Sequence, residues 1–407
     1  MNTNQFQVIK DARIDAPKGF YATGVHCGIK RKRKDLGMIT CTVPAQAAAV
    51  YTTNAFRAAP LKVTEESMEK EGILQAVLVN SGNANACTGK KGLADAYQMR
   101  ADMATQLRVP DHYVGVCSTG IIGESLPMDR IQSGIHELGL QHKQKTKNED
   151  FAEAILTTDT LVKKVQVELS IDDQHIKISG VAKGSGMINP NMATMLGFIT
   201  SDIKIESVVL QSLLWKATEE TFNMITVDGD SSTNDTVIAM ASGLANNTSL
   251  TPQHKDWHLF VDAFTYVCRE LAKKIARDGE GASRLIVATV RNAHSLLMAR
   301  QISKAIISSN LVKTAIFGAD ANWGRIMCAI GYGDKNVVPD RVEIKIGDIP
   351  LVKEGQPLPF IKKQVAHLLT QETIPIDVDL HLGKEQATAW GCDLTYEYIK
   401  INANYRT

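Results

Sequence analysis

The chain has 407 residues, 44% of them hydrophobic and 22% charged, with 45 basic side chains against 44 acidic ones. That balance leaves no global field to draw nucleic acid or an anionic membrane surface, and no stretch approaches the ~20 apolar residues of a membrane span. The length exceeds the ~250–300 residues at which one core stops growing, so two lobes are expected, and the seven scattered cysteines, never paired as CxxC, exclude a disulfide framework and a zinc site.

The opening residues, Met1–Gln7, lack the basic-then-apolar order of a signal peptide, which points to the cytoplasm. The stretch up to Pro60 reads as short strands and turns, broken by Lys30-Arg-Lys-Arg-Lys34, a solvated hairpin tip. Leu74–Asn80 is a compact apolar run and a buried strand, followed by a helix over Asp95–Leu107. Tyr113–Ser118 is a strand that delivers Thr119-Gly120 to a loop, and Ile131, Ile135 and Leu138 mark a short helix. Val165, Val167, Leu169 and Ile171 alternate, then turn through Asp172-Asp-Gln-His into Ile176 and Ile178, a hairpin running into Lys183.

Ser207–Asn223 has helical spacing. Strands through Ile225 and Val227 and at Val237–Ala241 flank the loop Asp228–Asp235. Pro252–Asp278 is the longest helix, starting after Thr251 as N-cap. Leu285–Val290 reads as a strand, His294–Ile307 as a helix and Leu311–Phe317 as a further strand. Ile376–Leu382 alternates, and Leu394–Ile401 is strand-like, docking the C-terminus as an edge. Strands interleave with helices in both halves while short turns join several strand pairs, so the fold class is layered α/β with mixed or antiparallel sheets.

Chemistry concentrates in Lys183-Gly-Ser-Gly-Met-Ile-Asn-Pro-Asn-Met-Ala-Thr-Met-Leu-Gly-Phe198. A backbone so rich in turn formers can hold a peptide bond under strain and lay a hydroxyl against its carbonyl. Attack of Thr194 on the Ala193 carbonyl turns the amide into an ester, which water splits. The product carries a free α-amine, of ordinary pKa ~7.7–8.0, beside the Thr194 hydroxyl. A threonine with its own N-terminal amine is a nucleophile–base pair. The plain alternative is a Thr that caps a helix or bonds a turn.

The run Lys183–Phe198 closely resembles the cleavage motif of the glutamate N-acetyltransferase / ornithine acetyltransferase family of arginine biosynthesis. Ser81–Gly89, Ser118–Gly123, Asp278–Ala282, Ala319–Arg325 and the C-terminus resemble that family in the same order. The resemblance implies an α/β/β/α sandwich of two stacked sheets covered by helices. It also implies self-cleavage into residues 1–193 and 194–407, which stay together as one folding unit. The activity implied is transfer of acetyl from N2-acetylornithine to glutamate through an acetyl-Thr194 intermediate. Acetyl-CoA is an optional donor that some members accept, and no cofactor or metal is required. Two cleaved pairs would form a heterotetramer. The competing readings are a self-cleaving N-terminal-nucleophile amidase or aminopeptidase and a non-catalytic binding protein.

The resemblance also distributes roles. Thr119, by its side chain, and Gly120, by its N–H, match the oxyanion hole; from the residues alone, Cys117–Gly123 is also an ordinary strand-to-helix turn. Glu280, in Asp278-Gly-Glu-Gly-Ala282, matches a substrate contact and is assigned the cationic amino group. Thr157 is preferred over Thr158 as pocket lining, and Asn402 and Thr407 reach the substrate. From the residues alone, Lys183 is either a partner for a substrate carboxylate or an exposed lysine in a turn. Asp228–Asp235 lacks the spacing of a calcium loop and reads as turn chemistry beside the site. Cys87 has no neighbouring base, and the ten histidines show no ligand spacing.

Overall fold

The computed structural model of the chain describes residues 5–141, 149–189 and 195–404; Ala193, Thr194 and Thr407 lie outside the described residues. The first part of the chain runs β1 (Gln7–Ile9), β2 (Phe20–Val25), β3 (Leu36–Tyr51), α1 (Ala59–Glu71), β4 (Ile73–Asn83), α2 (Gly89–Leu107), β5 (Val114–Ile121), α3 (Met128–Gln141), α4 (Glu149–Ala154), β6 (Lys163–Ile171) and β7 (Gln174–Lys183). It continues through β8 (Leu196–Ser201), α5 (Ser207–Glu220), β9 (Thr236–Ala241) and α6 (Trp257–Arg277). Among the described residues these strands form one sheet, ordered β1-β6-β7-β8-β9-β3-β4-β5, with β2 against β3.

The sheet turns on β3. Leu36–Thr40 pairs with β2 and β4, whereas Gln46–Tyr51 pairs with β9, and the register against β4 slips between Thr40 and Ala45. Pro44 sits in that break, where its missing N–H breaks no ladder bond. The two halves of the sheet then close on a shared core. Phe20, Ile39, Val77 and Val79 contribute from one half, Val181, Phe198, Ile238 and Met240 from the other, and Phe151 and Ile155 also join this core. Phe151 meets Phe198 edge-on at 5.4 Å.

Helices cover both outer faces. Met99 and Met103 of α2 and Ile131, Ile135 and Leu138 of α3 share a core with Met38, Leu78 and Val116. Leu210 and Leu214 of α5 and Phe264, Val267, Leu271 and Ile275 of α6 share one with Val165, Val167 and Ile178. The α/β/β/α layering holds, but its two β layers are halves of one bent sheet rather than separate stacked sheets.

The rest of the chain comprises β10 (Leu285–Ala293), α7 (Leu296–Ser308), α8 (Asn310–Phe317), α9 (Trp323–Gly333), β11 (Glu343–Ile346), β12 (Ile349–Lys353), β13 (Gln356–Pro357), α10 (Lys362–Leu368), β14 (Thr373–Asp379), β15 (Glu385–Cys392) and α11 (Tyr396–Asn404). Its strands form a second, six-stranded sheet, ordered β13-β12-β11-β14-β10-β15. Helix α6 packs on β6 and β7 on one side and on β15 and β10 on the other, so one amphipathic helix joins the two sheets.

Several local expectations fail for identifiable reasons. Leu311–Phe317 is helical: Ser309 Oγ caps Val312 N–H at 3.3 Å, and Val312, Ala315 and Ile316 are buried at helical spacing. The C-terminus is helix α11, not an edge strand, and Thr395 Oγ1 receives the Glu397 N–H at 3.1 Å at its start. Ile225–Val227 forms only an isolated bridge, Ile225 to Trp390. Helix α6 begins at Trp257 because Pro252–Asp256 is taken up in turns. The basic pentad is a hairpin tip, yet it is partly docked. Lys30 Nζ donates to Leu156 O at 2.9 Å, and Lys34 pairs with Asp150.

Candidate active site

Strand β5 runs parallel to β4 and ends at the site. Gly120 takes a left-handed φ of +135°, and a Cβ there would lie 2.3 Å from the Gly82 carbonyl carbon, so only glycine lets the two backbones approach. Asn234 ties this end in place, donating its amide to Ala84 O at 2.6 Å and Ser118 O at 2.8 Å. Thr119 is left with its hydroxyl beside Lys183 at the end of β7, whose Nζ donates to Thr119 Oγ1 at 3.2 Å. An ammonium only donates, so Thr119 accepts and keeps its own proton free to donate elsewhere.

Lys183 belongs to a buried ionic group. Lys163, 1% exposed, bridges Asp159 at 2.7 Å and Asp278 at 2.5 Å. Gly184 N–H adds a 2.7 Å bond to Asp159. Burial alone would raise the Asp159 carboxyl, but Lys163, Lys183 and the Gly184 N–H overcome it and hold it well below the usual carboxylate range. Burial pulls the Lys183 ammonium down, opposed by Asp159 and reinforced by Lys163. Charges this far from water persist because Lys163 is paired with both acids, while Lys183 is hydrogen-bonded to Thr119 and sits in the field of Asp159.

The same network aims Glu280. Asp278 stops α6 and accepts the Thr160 N–H at 3.1 Å and the Thr160 hydroxyl, while its carbonyl accepts Ser185 Oγ at 2.7 Å. Glu280 N–H then donates to Ser185 O at 2.9 Å. A Cβ on Gly186 would sit 2.4 Å from the Glu280 carboxyl carbon, so the absent side chain is the room the carboxylate occupies. From α11, Asn402 Nδ2 donates to Glu280 Oε2 at 2.8 Å.

One cavity of about 150 Å³ collects these groups: Thr119, Gly120, Thr157, Thr158, Lys183, Glu280 and Asn402 line it together with Met195 and Leu196. Met195, which follows Thr194 in sequence, accepts the Thr236 N–H at 2.9 Å. Both threonines of the Thr157-Thr158 pair face the cavity, so its lining does not separate them. Cys87 is exposed and outside this lining. Among the described residues, Asp172, His254 and Asp256 could group around a metal ion, at the far end of β7 from Lys183. There His254 Nε2 already lies 3.1 Å from both Asp172 oxygens.

Sequence reasoning gave no role to Lys163, Asp278 or Asp235. The first opens an alternating strand and the second ends a helix, and neither position signals a buried charge. Asp235 is 2% exposed, lines the cavity and has a carboxylate oxygen, Oδ2, without a hydrogen-bond partner among the described residues. Burial pushes its carboxyl well above the usual range, against the pull of Ser232 and Lys183.

The sequence model of the ArgJ family matches residues 21–407. The chain is 54% identical to the arginine biosynthesis bifunctional protein ArgJ of Geobacillus kaustophilus over 405 residues, covering 100% of this chain and 98% of that protein. It is 52% identical to the protein of the same name from Oceanobacillus iheyensis, over 99% of this chain and 98% of the relative. The crystal structure of the Bacillus halodurans protein of that name is 50% identical with a TM-score of 0.50, and covers 51% of this chain and 97% of its own. The ornithine acetyltransferase of Mycobacterium tuberculosis, solved with ornithine, is 37% identical with a TM-score of 0.43, over 46% and 100%.

Proposed function

Since this chain belongs to the ArgJ family and is a bifunctional acetyltransferase of arginine biosynthesis, we propose that it works through a threonine nucleophile it creates by cutting itself between Ala193 and Thr194. The Thr194 hydroxyl adds to the Ala193 carbonyl, the C–N bond breaks to leave an ester and a free amine, and water hydrolyses the ester. Residues 1–193 and 194–407 then remain one unit. Strand β7 of the first piece pairs with β8 of the second, Lys183 opposite Leu196, and β3 pairs with β9.

In the transfer step the new α-amine takes the Thr194 hydroxyl proton as the oxygen adds to the acetyl carbonyl of N2-acetylornithine. The oxyanion meets the Thr119 hydroxyl and the Gly120 N–H. Lys183 donates to Thr119 and so leaves the Thr119 proton free for that point, and its charge favours the anion. The tetrahedral adduct collapses, the proton passes to the departing amine, and ornithine leaves acetyl-Thr194. The glutamate amine then attacks the ester, and N-acetylglutamate departs as the Thr194 oxygen regains its proton. Acetyl-CoA serves the same ester as an alternative donor.

Glu280, held by Asn402, takes the cationic amino group. Thr157 and Lys183 take the substrate's polar end, and Thr407 reaches the same ligand. The assembly is a heterotetramer of two cleaved pairs, working in the cytoplasm; among the described residues no helix is long and apolar enough to cross a membrane. One observation carries the reading: a single cavity beside Met195 gathers Thr119, Gly120, Lys183, Glu280 and Asn402 from distant parts of the chain. The test is intact mass of the purified protein with ornithine release from N2-acetylornithine. Two pieces meeting at Ala193/Thr194 and release that needs glutamate are expected. Release indifferent to any amine acceptor makes the protein a hydrolase instead.

A further inference from the structure

Residues 187–189, just ahead of the cleavage motif's Pro190, are gripped by a loop from the other side of the junction. The Asp228 carboxylate accepts the Met187 N–H at 2.7 Å and the Ile188 N–H at 2.8 Å, one on each oxygen. Ile188 O receives Val227 N–H at 2.7 Å and Thr226 Oγ1 at 3.0 Å. Asn189 donates to Gly229 O at 3.0 Å, and Ser231 Oγ donates to Asn189 O at 2.8 Å. Met187 is held with a left-handed φ of +56°, a conformation a non-glycine residue keeps only when its surroundings enforce it. The Tyr398 hydroxyl of α11 lies against the Asp228 carboxylate. None of these groups lines the cavity except Met187 and Ile188, so substrate contact does not account for the grip.

We propose that Asp228, backed by Tyr398, is a positioning residue for chain scission, which fixes the backbone at Met187 and Ile188 as it enters the junction. The inference rests on the self-cleavage reading above. Bonds from a carboxylate to two consecutive N–H groups are charge-assisted and set direction as well as distance. An intramolecular attack needs its atoms held near contact, and a misplacement of about 1 Å can cost roughly 100-fold. Asp228 belongs to the second product and Met187 and Ile188 to the first, so the same bonds persist across the cut and keep the pieces joined there.

The test is a time course of precursor conversion by denaturing gel and intact mass, run on full-length wild type, Asp228→Asn, Asp228→Glu and Tyr398→Phe. Asparagine keeps the shape but offers one acceptor and turns an NH₂ toward the second N–H. Conversion of Asp228→Asn should slow by about tenfold or more, with partial recovery in Asp228→Glu and a smaller slowing in Tyr398→Phe. Leu271→Ala, a core change that removes none of the loop's hydrogen bonds, serves as the stability control, with melting temperature measured throughout. Conversion at the wild-type rate in both Asp228→Asn and Tyr398→Phe overturns the proposal. So does slowing no greater than that of Leu271→Ala at the same loss of melting temperature. A wild-type chain that stays uncut removes the scission reading itself, and this inference with it.

Discussion

Lys183 and Thr119, 64 residues apart in sequence, meet through a 3.2 Å hydrogen bond in which the buried ammonium donates to the hydroxyl. Thr119 accepts that bond and keeps its own proton free to donate at the end of β5. That makes Thr119 the sharpest target for mutation.

Thr119→Ala removes that donor while the Gly120 N–H stays. Acetyl transfer should fall by roughly 10²–10³ in kcat, with little change in KM. Thr119→Ser, which restores the hydroxyl, should recover most of the loss. Steady-state kinetics on N2-acetylornithine and glutamate measure both, and an equal rise in KM would instead make Thr119 a ground-state contact.

Thr194→Ala should leave a single uncut chain with no transfer activity, read on one denaturing gel and one assay. Thr194→Ser should cut and transfer at reduced rates, since it keeps the oxygen nucleophile. An uncut but fully active Thr194→Ala protein would place the acyl group on another side chain.

Glu280→Gln keeps the shape and the Asn402 contact but loses the charge offered to the substrate's amino group. KM for N2-acetylornithine should rise roughly ten- to 100-fold, with kcat changed far less, because a hydrogen bond to a charged group is worth about 1.5–3 kcal/mol. An unchanged KM would move the cation's site elsewhere.

Two buried carboxyls predict opposite pH dependences of stability. Asp159 is held below its unfolded value, so its stabilisation is complete above the ordinary carboxyl range and fades as pH falls toward its depressed folded value. Removing its partner with Lys163→Met should destabilise strongly, by about 3–5 kcal/mol, and shrink that acid limb. Denaturant melts of both proteins from neutral to acid pH check this.

Asp235 is raised, so its contribution is fullest below its unfolded pKa and is lost as pH climbs through the elevated folded value. Asp235→Asn, which cannot ionise, should melt higher than wild type at alkaline pH and show a flatter profile. Identical slopes in the two proteins would mean that the Asp235 carboxyl ionises as freely folded as unfolded.

Much of this molecule is written locally. The alternation of Val165–Ile171 and Ile176–Ile178 marks β6 and β7, the stripe from Phe264 to Ile275 marks α6, and the run from Lys183 to Phe198 marks the chemistry, because periodicity and turn composition depend only on near neighbours. Thr119, Gly120, Glu280 and Asn402 were legible as a set through family resemblance, and the fold brings them to one cavity with Lys183. Chain order said nothing of how they converge. The bend of the sheet at Pro44 and the pairing of Lys163 with Asp278 across 115 residues were settled only by long-range packing. So was the helical ending that carries Asn402 to Glu280. A buried charge is tolerated only where distant partners surround it, and a weakly periodic segment takes whichever backbone its tertiary contacts reward; neither condition leaves a mark on adjacent residues.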